Sequence, residues 1–376
     1  MSIRILHNES RSQLAKILDV SEQAIWQYEQ GIIEPQTINL LKLTRHFKVN
    51  LQYFLQEFDE KIHFSHNNLA YRLADDLNNR NIATEVEFLK HCGSIIRYLE
   101  EALISPPNKI AILRNKIMSR YLSTDNRDSS FFETIAQEAR DYLNITDNEH
   151  LLSSLELSGI HIFEKPIIGK ADAYSTWSSD NVAFIVLGSA KTAVRRNFDL
   201  AHELGHLLMH FEIDIQHLDK NQLKDIEHEA NSFASCFLLP KNNICQDLNS
   251  LARYTNPDNY LPLKQKYYVS IQALEMRAFK LGYLNPKQHS YFYRQLHVKG
   301  YKKLEPLDKE MPYKRPTKIR YLFDLTLKNN LYSLDEILHH FGIRLGLLEE
   351  LFSFEPDFLA PYKNSGTLPQ KLYKIK

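Results

Sequence analysis

The sequence predicts a mainly α-helical chain with one small β-sheet, an α+β fold. Apolar residues recur at helical spacing through most of the 376 residues. Three short runs rich in β-branched and aromatic residues lie close together between residues 160 and 187. Directly after them helical periodicity returns, in a stretch whose Phe198, Ala201, Leu204 and Leu208 form one apolar stripe. A chain this long exceeds one small core and is expected to form two or three packed domains.

The elements follow in order. Ser10 and Ser21 are expected N-caps, and Leu14, Ile17 and Leu18 mark one face of the first of the two helices they open. The second runs towards Gly31, a suitable helix C-terminus, and Glu34-Pro35 ends that section. Leu40, Leu41 and Leu43 sit in a further helix. Residues 60–105 are polar with a helical pattern, and the Ser105-Pro106-Pro107 step is the expected linker. Residues 131–143 predict a helix with Ile135, Ala139 and Tyr142 on one side. The strand candidates are Ile160-His161-Ile162-Phe163, residues 173–177 and residues 182–187, the last two joined by a Ser178-Ser179-Asp180-Asn181 hairpin loop. Residues 182–187 are either an exposed edge for pairing with an extended peptide or a buried core strand. After Pro240 the chain is again mostly helical, with a second helix-turn-helix-like pattern over residues 334–351 and Gly342 at its turn. No repeat or low-complexity tract is evident.

Composition narrows the function classes. Lys plus Arg equals Asp plus Glu at 46 each, so any nucleic-acid surface must be local. Residues 295–320 form one basic segment, with eight Lys/Arg against three Asp/Glu. The three cysteines, Cys92, Cys236 and Cys245, form no C-x-x-C pair and point to a reducing compartment. The first ten residues lack the apolar core of a signal peptide, and no stretch approaches the ~18 apolar residues of a membrane span. A cytoplasmic protein without a membrane partner is expected.

The chemistry concentrates in Ala201-His202-Glu203-Leu204-Gly205-His206-Leu207, an H-E-x-x-H motif. Positions i and i+4 of a helix lie on one face, so two imidazoles there can converge on one ion while Glu203 sits beside it as a general base. A third ligand is required. His210 is too far along the helix from His202, about 12 Å, to share the ion. The longer H-E-x-x-H-x-x-G-x-x-H motif fails because Met209 and Glu212 occupy its glycine and histidine positions. Downstream, Ala230, Phe233, Ala234 and Phe237 make an apolar helical face, while Glu227 and Asn231 share another. That pair suits a carboxylate ligand and an amide that orients a ligand histidine. A solvated acid is the alternative for Glu227, and Glu229 is expected to face away from it. The expected set is His202, His206 and Glu227 around one zinc per chain, zinc being favoured over manganese by two histidines and one carboxylate. Tyr174, Arg195 and His210 are candidates for stabilising an oxyanion, each with a structural reading beside it.

These residues resemble the ImmA/IrrE family of metallopeptidases. The likeness runs through Asp172-Ala173-Tyr174-Ser175, Phe184-Ile185-Val186-Leu187, the stretch from Arg195 to His206, Glu227-His228-Glu229-Ala230-Asn231 and Phe237-Leu238-Leu239-Pro240. It implies a gluzincin-like zinc domain in which His202, His206 and Glu227 bind the metal and Glu203 is catalytic. It also implies a protein substrate of the helix-turn-helix repressor class, cut in a phage, mobile-element, toxin–antitoxin or stress circuit. Residues 10–56 resemble a Cro/cI-type (XRE) helix-turn-helix through Gln13-Leu14-Ala15-Lys16-Ile17-Leu18-Asp19-Val20-Ser21, Ile25, Tyr28-Glu29, Gly31 and Glu34-Pro35. Its recognition helix would present Glu22, Gln23, Trp26 and Gln27 to DNA, the glutamines being suited to adenine edges. Asp19 stands where glycine is usual, the first helix is short, and residues 1–60 carry six Lys/Arg against eight Asp/Glu. A protein-docking or dimerisation module is therefore the alternative, and a homodimer is among the assemblies it admits. The expected domains are a five-helix helix-turn-helix (1–58), a helical connector (59–130), the zinc metallopeptidase (131–300) and a helical C-terminal region (301–376). A transcriptional regulator or antitoxin whose zinc domain senses without cutting is the other reading of the whole.

Overall fold

A computed structural model describes residues 2–55, 62–64, 79–104, 107–167, 171–189, 191–211, 213 and 217–363. Ser105 and Pro106 of the expected linker, and much of residues 60–78, lie outside the described residues. The chain divides into two compact units. One comprises Met1–Pro106, Ser178–Asp180 and Thr317–Lys376; the other comprises Pro107–Trp177 and Asn181–Pro316.

The first unit opens with helices α1 (Ser2–Leu6), α2 (Arg11–Leu18), α3 (Glu22–Glu29) and α4 (Thr37–His46) and a 3-10 turn at Leu51–Phe54. Ser10 and Ser21 cap α2 and α3 as expected, their side chains accepting from the Gln13 and Ala24 amides. Asp19 adopts a left-handed φ of 60° after α2, a conformation that aspartate tolerates better than most residues, so the turn forms without glycine. Leu14, Leu18 and Ile25 are buried together with Phe47 and Val49, whereas Ile17, placed on one helical face with Leu14 and Leu18, is 41% exposed. It lies one residue away from the buried Leu18. Arg4 and Arg11 both reach Glu29 at 2.6 Å and tie α1 and α2 to α3. The long helix α5 (Asn79–Glu100) follows in the same unit.

The second unit contains α6 (Lys109–Leu122), α7 (Ser129–Tyr142), α8 (Leu151–Leu157), β1 (His161–Lys165), β2 (Ala173–Trp177), β3 (Ala183–Gly188), α9 (Ala193–Met209) and α10 (Lys220–Leu238). It continues with α11 (Lys241–Leu248), α12 (Leu261–Tyr267), α13 (Ile271–Lys280) and α14 (Pro286–Val298). The sheet order is β1-β3-β2, with β1 parallel and β2 antiparallel to β3. Strand β3, the sequence candidate for an exposed edge, is therefore the central strand. Its residues 183–187 are all buried, the pattern of a strand covered on both faces rather than an alternating edge. The edges are β1 and β2. The Trp177 indole N–H donates to the Leu207 carbonyl at 3.0 Å and joins β2 to α9.

Helices α15 (Lys318–Lys328), α16 (Leu334–His340) and α17 (Leu345–Leu351) return to the first unit. Of the basic segment, Lys299, Lys314 and Arg320 are engaged with Asp258, Glu149 and Glu355.

Candidate metal centre

Helix α9 packs against α10, β2, β3 and α6. Gly205 makes the α9–α10 approach close, because a Cβ there would lie 3.0 Å from Phe233 Cδ1 and 3.5 Å from the Ala230 Cα. Ala230, Phe233, Ala234 and Phe237 are fully buried along the inner face of α10. This packing carries Glu227 to the two motif histidines.

His202 Nε2 and His206 Nε2 stand 3.0 Å apart. Glu227 Oε2 lies 3.3 Å from the first and Oε1 lies 3.4 Å from the second. Among the described residues, this trio is the group of three His, Cys, Asp or Glu side chains suited to one ion, with its ligand atoms all within 4.8 Å of one another. Burial alone would raise the Glu227 carboxyl, but the adjoining imidazoles of His202 and His206 pull it well below the usual carboxylate range.

Protons on the Nε2 atoms that face Glu227 account for its lowered carboxyl. A metal would replace them, and the hydrogen-bond network accommodates the tautomers it would require. His202 Nδ1 lies 3.1 Å from Asn231 Oδ1, so in the required tautomer the ring donates there and leaves Nε2 bare. His210 Nε2 lies 3.0 Å from Glu229 Oε2 and must donate to that carboxylate. A neutral His210 then offers Nδ1 as an acceptor, 2.9 Å from His206 Nδ1. In that tautomer His206 donates to it, and its Nε2 offers a lone pair to an ion. Two imidazole lone pairs and a carboxylate thus converge, an arrangement that repels itself unless a cation sits among the three. The donor set fits a divalent metal.

Glu229, turned away from Glu227 as expected, is the anchor of this relay. It also accepts from Tyr121 Oη at 2.7 Å and Arg127 Nε at 2.9 Å. Burial opposes its charge, yet His210, Tyr121 and Arg127 bring its carboxyl down to about 2. Burial, reinforced by the same carboxylate, pushes the Tyr121 phenol up.

Glu203 is nearly buried and receives a 2.7 Å hydrogen bond at Oε2 from Ser175 Oγ on β2. One turn earlier, Asp199 has a buried Oδ2 without a hydrogen-bond partner, and burial, then Asp172 and Glu203, push its carboxyl up to about 7. The oxyanion candidates separate. Tyr174 is fully buried, Arg195 is tied to Asp172 at 2.8 Å, and His210 belongs to the relay. On α3, Glu22, Gln23 and Trp26 are exposed and Gln27 is half-buried.

Sequence reasoning missed Ser175, Asp199, Tyr121 and Arg127. Ser175 lay inside a stretch that carries the family likeness, but nothing local pairs it with Glu203, 28 positions away.

Residues 155–279 match the IrrE N-terminal-like domain, which spans the sheet, the motif helix and the glutamate helix. Residues 1–54 match the helix-turn-helix family. The chain joins an XRE helix-turn-helix to an ImmA/IrrE domain. It thus carries a DNA-binding-type module and a metallopeptidase-type domain. A comparison with curated proteins finds no match to the chain. Among the described residues no helix is long and apolar enough to cross a membrane.

Proposed function

We propose that the ImmA/IrrE domain is a zinc-dependent endopeptidase which, tethered to DNA by its helix-turn-helix, cleaves a repressor-type protein and so controls transcription. The observation that carries this reading is the convergence of two imidazole nitrogens and one carboxylate beside a buried glutamate held by Ser175. His202, His206 and Glu227 would hold the ion. When bound, zinc supplies a Lewis acid that lowers the pKa of a coordinated water and polarises a carbonyl.

The remaining work falls to the chain. Glu203 takes the proton of the attacking water on its carboxylate and later delivers it to the leaving amine. Ser175 fixes Oε2, so the proton is directed to Oε1. Asn231 and His210 hold the two ligand rings in one tautomer. The edge strand β2, which carries Ser175 to Glu203, is the place for an extended substrate to add by main-chain pairing. Gln23 and Gln27 would read an operator from α3.

The test combines metal content with cleavage of candidate helix-turn-helix repressors. Wild type should hold one zinc per chain, lost in His202→Ala and Glu227→Ala. Glu203→Gln should retain zinc and cut nothing. Undiminished cleavage by Glu203→Gln would remove the mechanism. Zinc binding without cleavage of any repressor in wild type would favour the sensor-type regulator instead.

A further inference from the structure

Helix α10 buries Ala230, Phe233, Ala234 and Phe237 and turns Glu227 and Asn231 to the motif histidines. A further face carries His228, Ser232 and Ser235, spaced four and three apart as one side of a helix requires. These residues line a cavity of about 830 Å³ that lies wholly within the second unit. The first turns of α7, the start of α11 and the end of α13 complete its wall, and none of His202, His206 and Glu227 belongs to it. Its volume falls in the range of small-molecule sites, roughly 300–1,000 Å³.

The charges on this wall do not cancel. Arg277 is buried and fully engaged: Nη2 meets the two Glu133 oxygens at 2.6 and 2.8 Å, and Nε donates to the Leu239 carbonyl at 3.0 Å. Arg127 is held by Glu229, and Asp128 accepts from the Ser130 and Phe131 amides at the head of α7. The ammonium groups of Lys241 and Lys280, which also line the cavity, have no ion pair or hydrogen bond among the described residues. Burial holds the Lys280 ammonium below its ordinary value; Cys236 opposes this and Arg277 adds to it. Pro240 gives α11 no side-chain cap, so the positive end of that helix reinforces the field beside Lys241. Ser232 is 8% exposed, yet its hydroxyl too has no partner among the described residues. A buried polar group left in that state calls for a ligand or water.

We infer that this cavity is a binding site for a small organic anion with two or more negative charges, which Lys241 and Lys280 neutralise and the Ser232 hydroxyl orients. A single charge would leave one of the two ammonium groups unmatched. The cavity is larger than an inorganic ion needs, so the charges sit on an organic frame. Phosphate and carboxylate groups share the required chemistry, since both accept from ammonium and hydroxyl donors. The inference does not rest on the peptidase reading, because the two lysines and Ser232 make no contact with the relay behind His206.

The test is calorimetric titration of the full chain with fructose 1,6-bisphosphate and, separately, succinate, in salt of about 0.15 M so that loose surface attraction is screened. One of the two should bind with a dissociation constant at or below about 1 mM, and the tighter one identifies phosphate or carboxylate as the natural group. Lys241→Met and Lys280→Met should each weaken it about tenfold or more, the loss of one charge-assisted bond. Lys220→Met, exposed and outside the cavity, should change nothing. Cys245 lies one turn beyond Lys241 and also lines the wall, so it reports occupancy. The bound anion should slow its alkylation by iodoacetamide in wild type and leave it unchanged in the chain carrying both lysine substitutions. Failure of both probes to bind at up to about 10 mM would overturn the inference. So would affinity that survives the double substitution, or Cys245 alkylation that is unaffected at saturation.

Discussion

Replacing His210 by phenylalanine isolates the relay behind the metal centre. The ring keeps its place beside Tyr121, with centroids now 5.7 Å apart, but both nitrogens are lost. Glu229 retains Tyr121 and Arg127 and stays compensated. His206 does not, because its Nδ1–H then points at carbon in a site where the side chain is only 2% exposed. A buried donor left unmatched costs about 1–3 kcal/mol. That cost falls mainly on the metal-bound state. Without metal, His206 can move its proton to Nε2, facing Glu227 at 3.4 Å; with metal bound to Nε2, the proton must stay on Nδ1. Zinc affinity should therefore fall roughly 10- to 100-fold, the range seen when such supporting contacts are removed. Competition against a chromophoric chelator near neutral pH measures the change, with circular dichroism to verify folding. A folded His210→Phe protein with wild-type zinc affinity refutes the relay.

Gly205→Ala should push α9 from α10 at Phe233, destabilise the fold by about 1–3 kcal/mol and weaken zinc binding along with it, measured by thermal unfolding and the same competition. Glu29→Gln should cost roughly 1–3 kcal/mol near neutral pH. Burial opposes the Glu29 charge, but Arg4 and then Arg11 hold its carboxyl below the ordinary 4.5. Its stabilisation is thus complete above 4.5 and lost as pH falls through the lower folded value, so unfolding curves of wild type and variant should converge on acidification. Gln23→Ala and Gln27→Ala should each weaken binding to a specific operator by about 1–3 kcal/mol. The salt dependence should be unchanged, because neutral glutamines release no counterions.

What the sequence made legible was whatever one helix fixes by its own period. His202 and His206, Glu227 and Asn231, and the buried face of α10 all follow from spacings of three and four, and all stand where that spacing puts them. Contacts between elements were not legible. Ser175 meets Glu203 because β2 lies against α9, and no pattern within either segment encodes that. The order of the sheet was missed for a similar reason. Ala183-Phe184-Ile185-Val186-Leu187 carries an unbroken apolar run that marks a central strand, but which strands flank it is decided by packing.

His210 and Glu229 show where a correct local argument stopped short. The distance from His202 to His210 argued against a shared ion, and the turn of α10 sends Glu229 away from Glu227 to His210. Each exclusion considered the metal alone. His210 is one turn beyond His206, as His206 is one turn beyond His202, so the same spacing that brings two rings to an ion brings the third to the back of the second. A buried ring there needs a partner for its far nitrogen, and Glu229 meets it at 3.0 Å. Under the proposed function, three histidines at one repeat divide into two ligands and one support behind them, and two glutamates on one helix into a ligand and an anchor. Tyr121 and Arg127, two residues far from the motif in sequence, hold the Glu229 carboxylate against that far nitrogen.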